Sequence, residues 1–344
     1  MEDSIVISLP IRPQLKTSLG MTSGLHVGRT IADFLGCQYV LSVNLMNGFA
    51  ELEKEKECLV SDVAKMGINP DKIWFDNKNI DELVSNIVKM IKKGIVYKKR
   101  KTILKCQCGR VCVEKKYADK FGKLFRLENE DVVCNFCNEK CKEIVDDLLV
   151  LHVPSNLKTI DVFPSFLSAE VENVVNKYKG KEIVISKPRD TGCIFEFGEN
   201  RYNLDVEFVW SQIFSCFKEK KLYLLASNHQ IYVAAIMGIM AQLTSVQSIT
   251  FILTPYLNNK SLFDLKDDFY ERAWLIRLFV LNSLKWKKKE CNWDEGVYRK
   301  LEKIEEEKLK ELYNDAINNE KVNLSDFLTY SFQTQSLLDR LGRI

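Results

Sequence analysis

A chain of 344 residues can bury a sizeable core and hold two or three compact units. Its 50 Lys and Arg nearly balance its 47 Asp and Glu, which argues against a protein that coats nucleic acid, while leaving room for a local basic patch. No apolar run reaches the roughly 18 residues of a membrane span, the best candidate being 231–243, and the acidic start (Glu2, Asp3) is unlike a secretory signal. A cytoplasmic protein is expected.

Residues 4–9 (SIVISL) form a β-branched apolar run closed by Pro10, the pattern of a buried strand. A polar loop follows, after which Thr22 or Ser23 is placed to cap a helix reaching Leu35. Residues 38–43 predict a strand, 51–66 a helix, and 72–75 a strand closed by Asp76 and Asn77. This alternation predicts a parallel α/β sheet. Residues 94–150 break the pattern, with the basic run Lys98-Lys99-Arg100-Lys101 and little regular periodicity. Alternation then resumes. Strands are expected at 148–153, 182–186, 222–226 and 248–253, and helices at 166–178, 209–218 and 230–243. Beyond Leu262 only helical patterns occur, and the apolar stretch 275–284 is suited to core packing or to a partner surface.

Six of the eleven cysteines fall between Cys106 and Cys141. Cys106-Gln-Cys108-Gly and Cys134-Asn-Phe-Cys137 form two short knuckles, and four thiolates on paired turns suit tetrahedral Zn²⁺. A closed shell of four thiolates implies a structural role. The spacings do not match the common iron–sulfur patterns, and Cys112 or Cys141 could replace one of the four. In a large cytosolic chain such a cluster points to metal rather than to disulfides.

The second constellation is Thr22-Ser23-Gly24-Leu25-His26-Val27-Gly28-Arg29, between the first strand and the first helix. A helix amino terminus offers unpaired N–H groups and partial positive charge, a natural phosphate site. Gly24 and Gly28 let a ligand approach the backbone, His26 can donate to a phosphate oxygen, and Arg29 adds fixed charge. A glycine-containing turn with a surface histidine is the plainer interpretation of the same residues.

The stretch TSGLHVGR resembles the first signature of class I aminoacyl-tRNA synthetases, in which a His-x-Gly-His-type motif binds ATP. His26 matches its first histidine and Gly28 its glycine, while Arg29 stands in place of the second histidine. Lys260 and Ser261 are similar to the end of the family's second, Lys-Met-Ser-Lys-Ser-type loop, whose first lysine is missing here. ISKPRDTG (185–192) is similar to the stretch that rejoins the catalytic fold after its insertion in methionyl- and leucyl-type enzymes, with Ser186, Lys187 and Arg189 on matching positions. ASNHQ (226–230) occupies the place of the ribose-binding turn, which implies a ribose contact from Asn228 or His229. DVEFVW (205–210) resembles the segment beside the amino-acid pocket, with Trp210 matching and Ser211 and Gln212 differing.

The resemblance implies an α/β fold with a Rossmann-like parallel sheet, a zinc-knuckle insertion and a C-terminal helical domain. Residues 1–93 and 151–261 would be the two halves of the catalytic domain, 94–150 a zinc-binding connective insertion, and 262–344 a helical bundle. The implied activity is ATP-dependent formation of an aminoacyl adenylate, with His26, Arg29 and Lys260 stabilising phosphate charge. Gly24, His26, Gly28, Asn228, His229, Lys260 and Ser261 would hold the nucleotide, Mg²⁺ would accompany pyrophosphate, and Zn²⁺ would sit on Cys106, Cys108, Cys134 and Cys137. The acceptor would be a tRNA acceptor end, a small molecule or a peptide. The alternative is a degenerate paralogue that binds nucleotide or RNA without catalysis.

Overall fold

The structure is a computed structural model describing residues 4–13, 19–46, 53–113, 124–189, 191–218, 220–244, 248–257, 272–318 and 322–341. The first third runs β1 (Ser4–Ser8), α1 (Leu19–Leu35), β2 (Gln38–Val43), α2 (Glu53–Lys65), β3 (Lys72–Phe75) and α3 (Ile80–Lys92). A β-rich stretch follows: β4 (Val96–Lys105), β5 (Val111–Cys112), β6 (Phe125–Glu128), β7 (Asp131–Cys134) and β8 (Lys142–His152). Then come β9 (Asp161–Phe163), α4 (Ser168–Tyr178), β10 (Glu182–Val184), β11 (Cys193–Phe197) and β12 (Asn200–Leu204). Next are α5 (Val206–Trp210), α6 (Gln212–Cys216), β13 (Lys221–Ser227), α7 (Ile231–Leu243), β14 (Ile249–Thr254) and β15 (Tyr256–Leu257). The rest comprises α8 (Ala273–Ser283), β16 (Glu290–Cys291), α9 (Glu295–Leu301), α10 (Glu306–Asn318), α11 (Leu324–Tyr330) and α12 (Thr334–Leu341).

Six strands form one parallel sheet in the order β3-β2-β1-β13-β14-β9. Its strands are nearly continuous apolar runs because both faces are covered. Along β1, Ile5 and Ile7 point to one core with Leu222, Leu224 and α7, while Val6 points to the other with Leu25, Ile31 and α8. The chain moves outward from β1 in one direction and from β13 in the other, so a crevice opens at their carboxyl ends, where open α/β sheets bind ligands. Helix α8 is buried from Leu275 to Ser283, so the apolar stretch there is core packing. Among the described residues no helix is long and apolar enough to cross a membrane.

The region without visible periodicity is a long antiparallel ribbon. β4 and β8 pair from Val96↔Leu151 to Lys105↔Lys142, and the four-stranded sheet runs β10-β8-β4-β5. The strands expected at 148–153 and 182–186 therefore belong to this second sheet, and the parallel sheet takes β9 in their place. The basic run lies on β4 and is met by acids from distant segments. Tyr97, Lys99 and Lys101, on one face by the period of two, all reach Glu182, at 2.7, 2.5 and 3.1 Å. Lys98 and Arg100, on the other, lie 3.4 Å from Asp147. The hydrogen bonds from Lys99 and Tyr97 hold the Glu182 carboxyl down to about 2. The four cations of this run thus share two carboxylates, so the basic character of the segment is reduced rather than cancelled.

Candidate nucleotide cleft and metal centre

A cleft of ≈ 580 Å³ opens at the carboxyl ends of β1, β13 and β14. Leu9 and Pro10 continue β1 into its floor, and Gly20, Ser23 and Gly24 present one stripe of α1 to it. A Cβ on Gly24 would come 3.7 Å from Thr254 Oγ1, so α1 lies close to the end of β14. On the opposite wall, the turn after β13 is fixed by a capping box. The Ser227 hydroxyl accepts from the His229 amide (3.4 Å), and Gln230 Oε1 accepts from the Ser227 amide (2.9 Å). This presents His229 to the cleft with its ring edge-on to Tyr256, centroids 4.8 Å apart.

Trp210 of α5 closes another side, held by a hydrogen bond from its indole N–H to Asp76 Oδ2 (3.2 Å). Asp76 Oδ1 accepts from the Leu45 and Met46 amides at 2.7 and 3.2 Å. Burial pushes the Asp76 carboxyl up to about 6 in spite of these bonds. Asn44, just past β2, lines the cleft with a buried Oδ1 that has no hydrogen-bond partner among the described residues. Asn44 was missed from the sequence. The signal available for Asn44 was its place immediately after a buried strand of the parallel sheet.

The candidate metal centre lies in the cysteine-bearing β region. Cys106 and Cys108 occupy the turn after β4, while Cys134 ends β7 and Cys137 lies in the turn that follows it. Each turn closes through a left-handed residue, Gly109 (φ 86°) and Asn138 (φ 57°). The Gly109 amide donates to Cys106 O and the Asn138 amide to Cys134 O, both at 2.9 Å. The four Sγ atoms lie within 4.8 Å of one another, with Cys106–Cys137 at 3.2 Å and Cys108–Cys134 at 3.7 Å. A tetrahedral ion with Zn–S bonds of about 2.3 Å requires sulfur–sulfur edges of about 3.8 Å, so the donor set fits. No disulfide links any of the eleven cysteines. Cys112 and Cys141 pack in the same apolar cluster, outside the four-sulfur group.

No protein-family model and no curated protein matches the sequence. Solved structures do match in three dimensions. Mycobacterium tuberculosis methionyl-tRNA synthetase in complex with methionyl-adenylate superposes with a TM-score of 0.68 at 10% identity, covering 87% of this chain and 68% of that one. A second structure of that enzyme bound by methionyl-adenylate gives 0.68 at 10% identity, covering 92% and 71%. The apo form gives 0.64 at 11% identity, covering 87% and 65%. The fold is that of a class I aminoacyl-tRNA synthetase.

Within this class I synthetase fold the signature residues are divided. Gly24 and His229 line the cleft. Lys260 and Ser261 lie outside the described residues. Helix α1 is already formed at Leu19, ahead of the cap expected at Thr22 or Ser23, so the first signature sits inside the helix. By i, i+3 and i, i+4 spacing, Thr22, His26, Thr30 and Asp33 form a stripe turned towards Met66, α8 and α10. His26 is fully buried, and neither ring nitrogen has a hydrogen-bond partner among the described residues. Burial, then the charge of Arg277, hold its pKa well below the ordinary value.

Arg29 is bound to Asp33 (2.6 Å) and Asp71 (2.8 Å), not directed at the cleft. Asp33 also accepts from Tyr313 (2.6 Å) and lies 3.5 Å from Arg277, which donates to Gly67 O (2.6 Å). A Cβ on Gly28 would come 2.5 Å from the Tyr39 ring, so this glycine serves close packing of α1 on β2. Asn228 is buried, and its amide donates to Lys289 O, tying the 285–289 turn to the site. Of the rejoining stretch, Lys187 and Arg189 both close on Asp205, the cap of α5. Burial works against the Asp205 charge, but these two cations hold its carboxyl below the ordinary value.

Proposed function

We propose that the cleft activates an amino acid at the expense of ATP. A carboxylate oxygen bonds to the α-phosphorus, the bond to the β,γ-phosphates breaks, and pyrophosphate leaves with its Mg²⁺. The observation that carries this reading is the position of the cleft, at the carboxyl ends of β1, β13 and β14 and against the first turns of α1. Nothing in such a reaction needs a protein nucleophile; positioning and preorganised charge supply the rate. In this reading Gly24 and His229 contact the nucleotide, and Lys260 brings an ammonium to the polyphosphate. His26, Gly28 and Arg29 act at one remove, by fixing α1 against β2 and α8. Zn²⁺ on Cys106, Cys108, Cys134 and Cys137 is structural, since four thiolates leave no open coordination position. The acceptor of the acyl group is a tRNA end, a small molecule or a peptide.

The test is ATP–pyrophosphate exchange by the full chain with each amino acid in turn. Exchange dependent on one amino acid, and lost in Gly24→Val, is the expected result. A second reading, a nucleotide-binding paralogue without catalysis, draws on the burial of His26 and the engagement of Arg29 in ion pairs. Nucleotide binding with no exchange for any amino acid would establish it and remove the first.

A further inference from the structure

Four thiolates close a tetrahedral site, yet the cysteine-bearing region carries six cysteines, and its two arms repeat one pattern. Cys106-x-Cys108 is followed four residues on by Cys112, and Cys134-x-x-Cys137 four residues on by Cys141. Both third cysteines return to the sulfur group. Pairing of β5 with β4 sets Cys112 opposite Leu104, and the Cys141 amide donates to Val132 O (2.8 Å). All six pack in one cluster with Phe125 and Val132. The Cys141 thiol is in hydrogen-bond contact with Cys106, and its electrostatic neighbours are Cys134, Cys112 and Cys108. Apolar packing alone would accept Ala or Val at both positions.

The sulfurs differ in access. Cys106, Cys112 and Cys134 are buried, while Cys108, Cys137 and Cys141 are partly exposed. A metal holds its cysteines as thiolates, the form that attacks an electrophile. Two of the four ligands are therefore reachable, Cys108 and Cys137. Cys108 accepts from Arg110 Nη1 at 3.3 Å, which draws on its charge. Cys137, beside the exposed Phe136, meets no N–H donor among the described residues, and Cys106 Sγ lies 3.2 Å from it.

We infer that the six thiols form a redox centre: a hydroperoxide joins Cys137 to Cys106 as a disulfide, and Cys112 and Cys141 take their places on the ion. The Cys137 thiolate attacks the hydroperoxide; an S–O bond forms, the O–O bond breaks, and a sulfenic acid results. The Cys106 thiolate then attacks that sulfur; the S–S bond forms and hydroxide leaves. The two departing oxygens require two protons, and Cys112 and Cys141 release two as they become thiolates. The ion loses two thiolates and gains two, so its four-sulfur shell and its charge are restored. Both incoming sulfurs lie outside the 4.8 Å group, so the exchange turns their side chains inwards. The region thereby keeps its ion through a two-electron oxidation that would strip a site of four cysteines. This inference rests on the metal reading of the four sulfurs and is independent of the chemistry proposed for the cleft.

The experiment treats the zinc-loaded full chain with one equivalent of hydrogen peroxide. Peptide mass spectrometry without reduction should find Cys106 joined to Cys137, and a chromophoric chelator should find no zinc set free. Cys112→Ser combined with Cys141→Ser should bind one zinc before oxidation, form the same disulfide, and then lose the ion. Cobalt(II) in place of zinc gives a second readout: its thiolate charge-transfer bands should survive peroxide in the unaltered chain and vanish in the double variant. Zinc retained beside the mapped disulfide supports the inference from the unaltered chain alone, whether or not the variant folds. Zinc released from the unaltered chain, a disulfide through Cys108, Cys112, Cys134 or Cys141, or a chain that takes up no metal overturns it. A folded double variant that binds no zinc before oxidation makes Cys112 or Cys141 a resting ligand and overturns it as well. Pyrophosphate exchange on the same preparations reports the cleft, so the two readings fail separately.

Discussion

The cysteine ribbon and helix α1 each carry a short sequence signature, and the fold treats them in opposite ways. The ribbon brings Cys106, Cys108, Cys134 and Cys137 within 4.8 Å of one another. Helix α1 brings Gly24 to the cleft but turns His26 and Arg29 into its packing side. A two- or three-residue turn brings its two thiols together by chain connectivity alone, so only the meeting of two turns is left to tertiary structure. A helical signature works only if it falls at the helix end and on the right face, and here the chain is already helical at Leu19, so the signature lies inside α1 with its amides engaged. Local closure survives where helix phase decides.

Metal removal gives the largest effect. Structural Zn²⁺ in small thiolate sites is worth about 10–16 kcal/mol of apparent binding energy, so a strong chelator should open residues 124–141 to protease while the parallel sheet keeps its far-ultraviolet dichroism. A chain without one bound metal per molecule, or a ribbon that resists protease after chelation, would break the comparison at its first term. Next comes Arg277→Ala, which strips the buried side of α1 of its cation and should cost about 3–5 kcal/mol in urea unfolding. Gly28→Ala forces a methyl against the Tyr39 ring and should cost about 1–3 kcal/mol. An unchanged midpoint would return Gly28 to ligand approach.

The smallest effect concerns His26. Its folded-state pKa lies well below the ordinary 6.5, so it is neutral when folded and binds a proton on unfolding. Its contribution is therefore complete above pH 6.5 and falls by about 1.4 kcal/mol per pH unit below it, until the folded pKa is reached. Asp76 and Glu207, raised to about 6 and 7, change stability in the opposite direction over the same window. The difference between the chain and His26→Leu isolates the histidine. Stability curves that run parallel from pH 7 to pH 5 would put an accessible imidazole at position 26.

Much of the parallel sheet was legible in the sequence. β2 and β3 fall at the expected residues, because short apolar runs bounded by polar turns are local facts. The grouping of Cys106, Cys108, Cys134 and Cys137 was legible for the same reason. The β4–β8 ribbon was not, because the partners of Lys98 to Lys101 are Asp147 and Glu182, far along the chain. Without them a charged strand looks like a basic tail. The expected helix at 209–218 divides at Ser211 into α5 and α6, a break that places Trp210 against Asp76 and that no periodicity announces. Among the described residues that the sequence singled out, Gly24, Trp210 and His229 line the cleft at the strand ends, while His26 and Arg29 do not.

Tyr313 reaches Asp33 across 280 positions, and Arg277 reaches Gly67 across 210. On a ribosome adding about 5–20 residues per second, α1 would wait roughly 15 to 55 s before α10 is made. Throughout that interval a nascent chain exposes the stripe holding His26, and for most of it β1 also lacks its partner β13. Production of this protein should accordingly respond to holdase chaperones and to translation speed more strongly than its final stability would suggest.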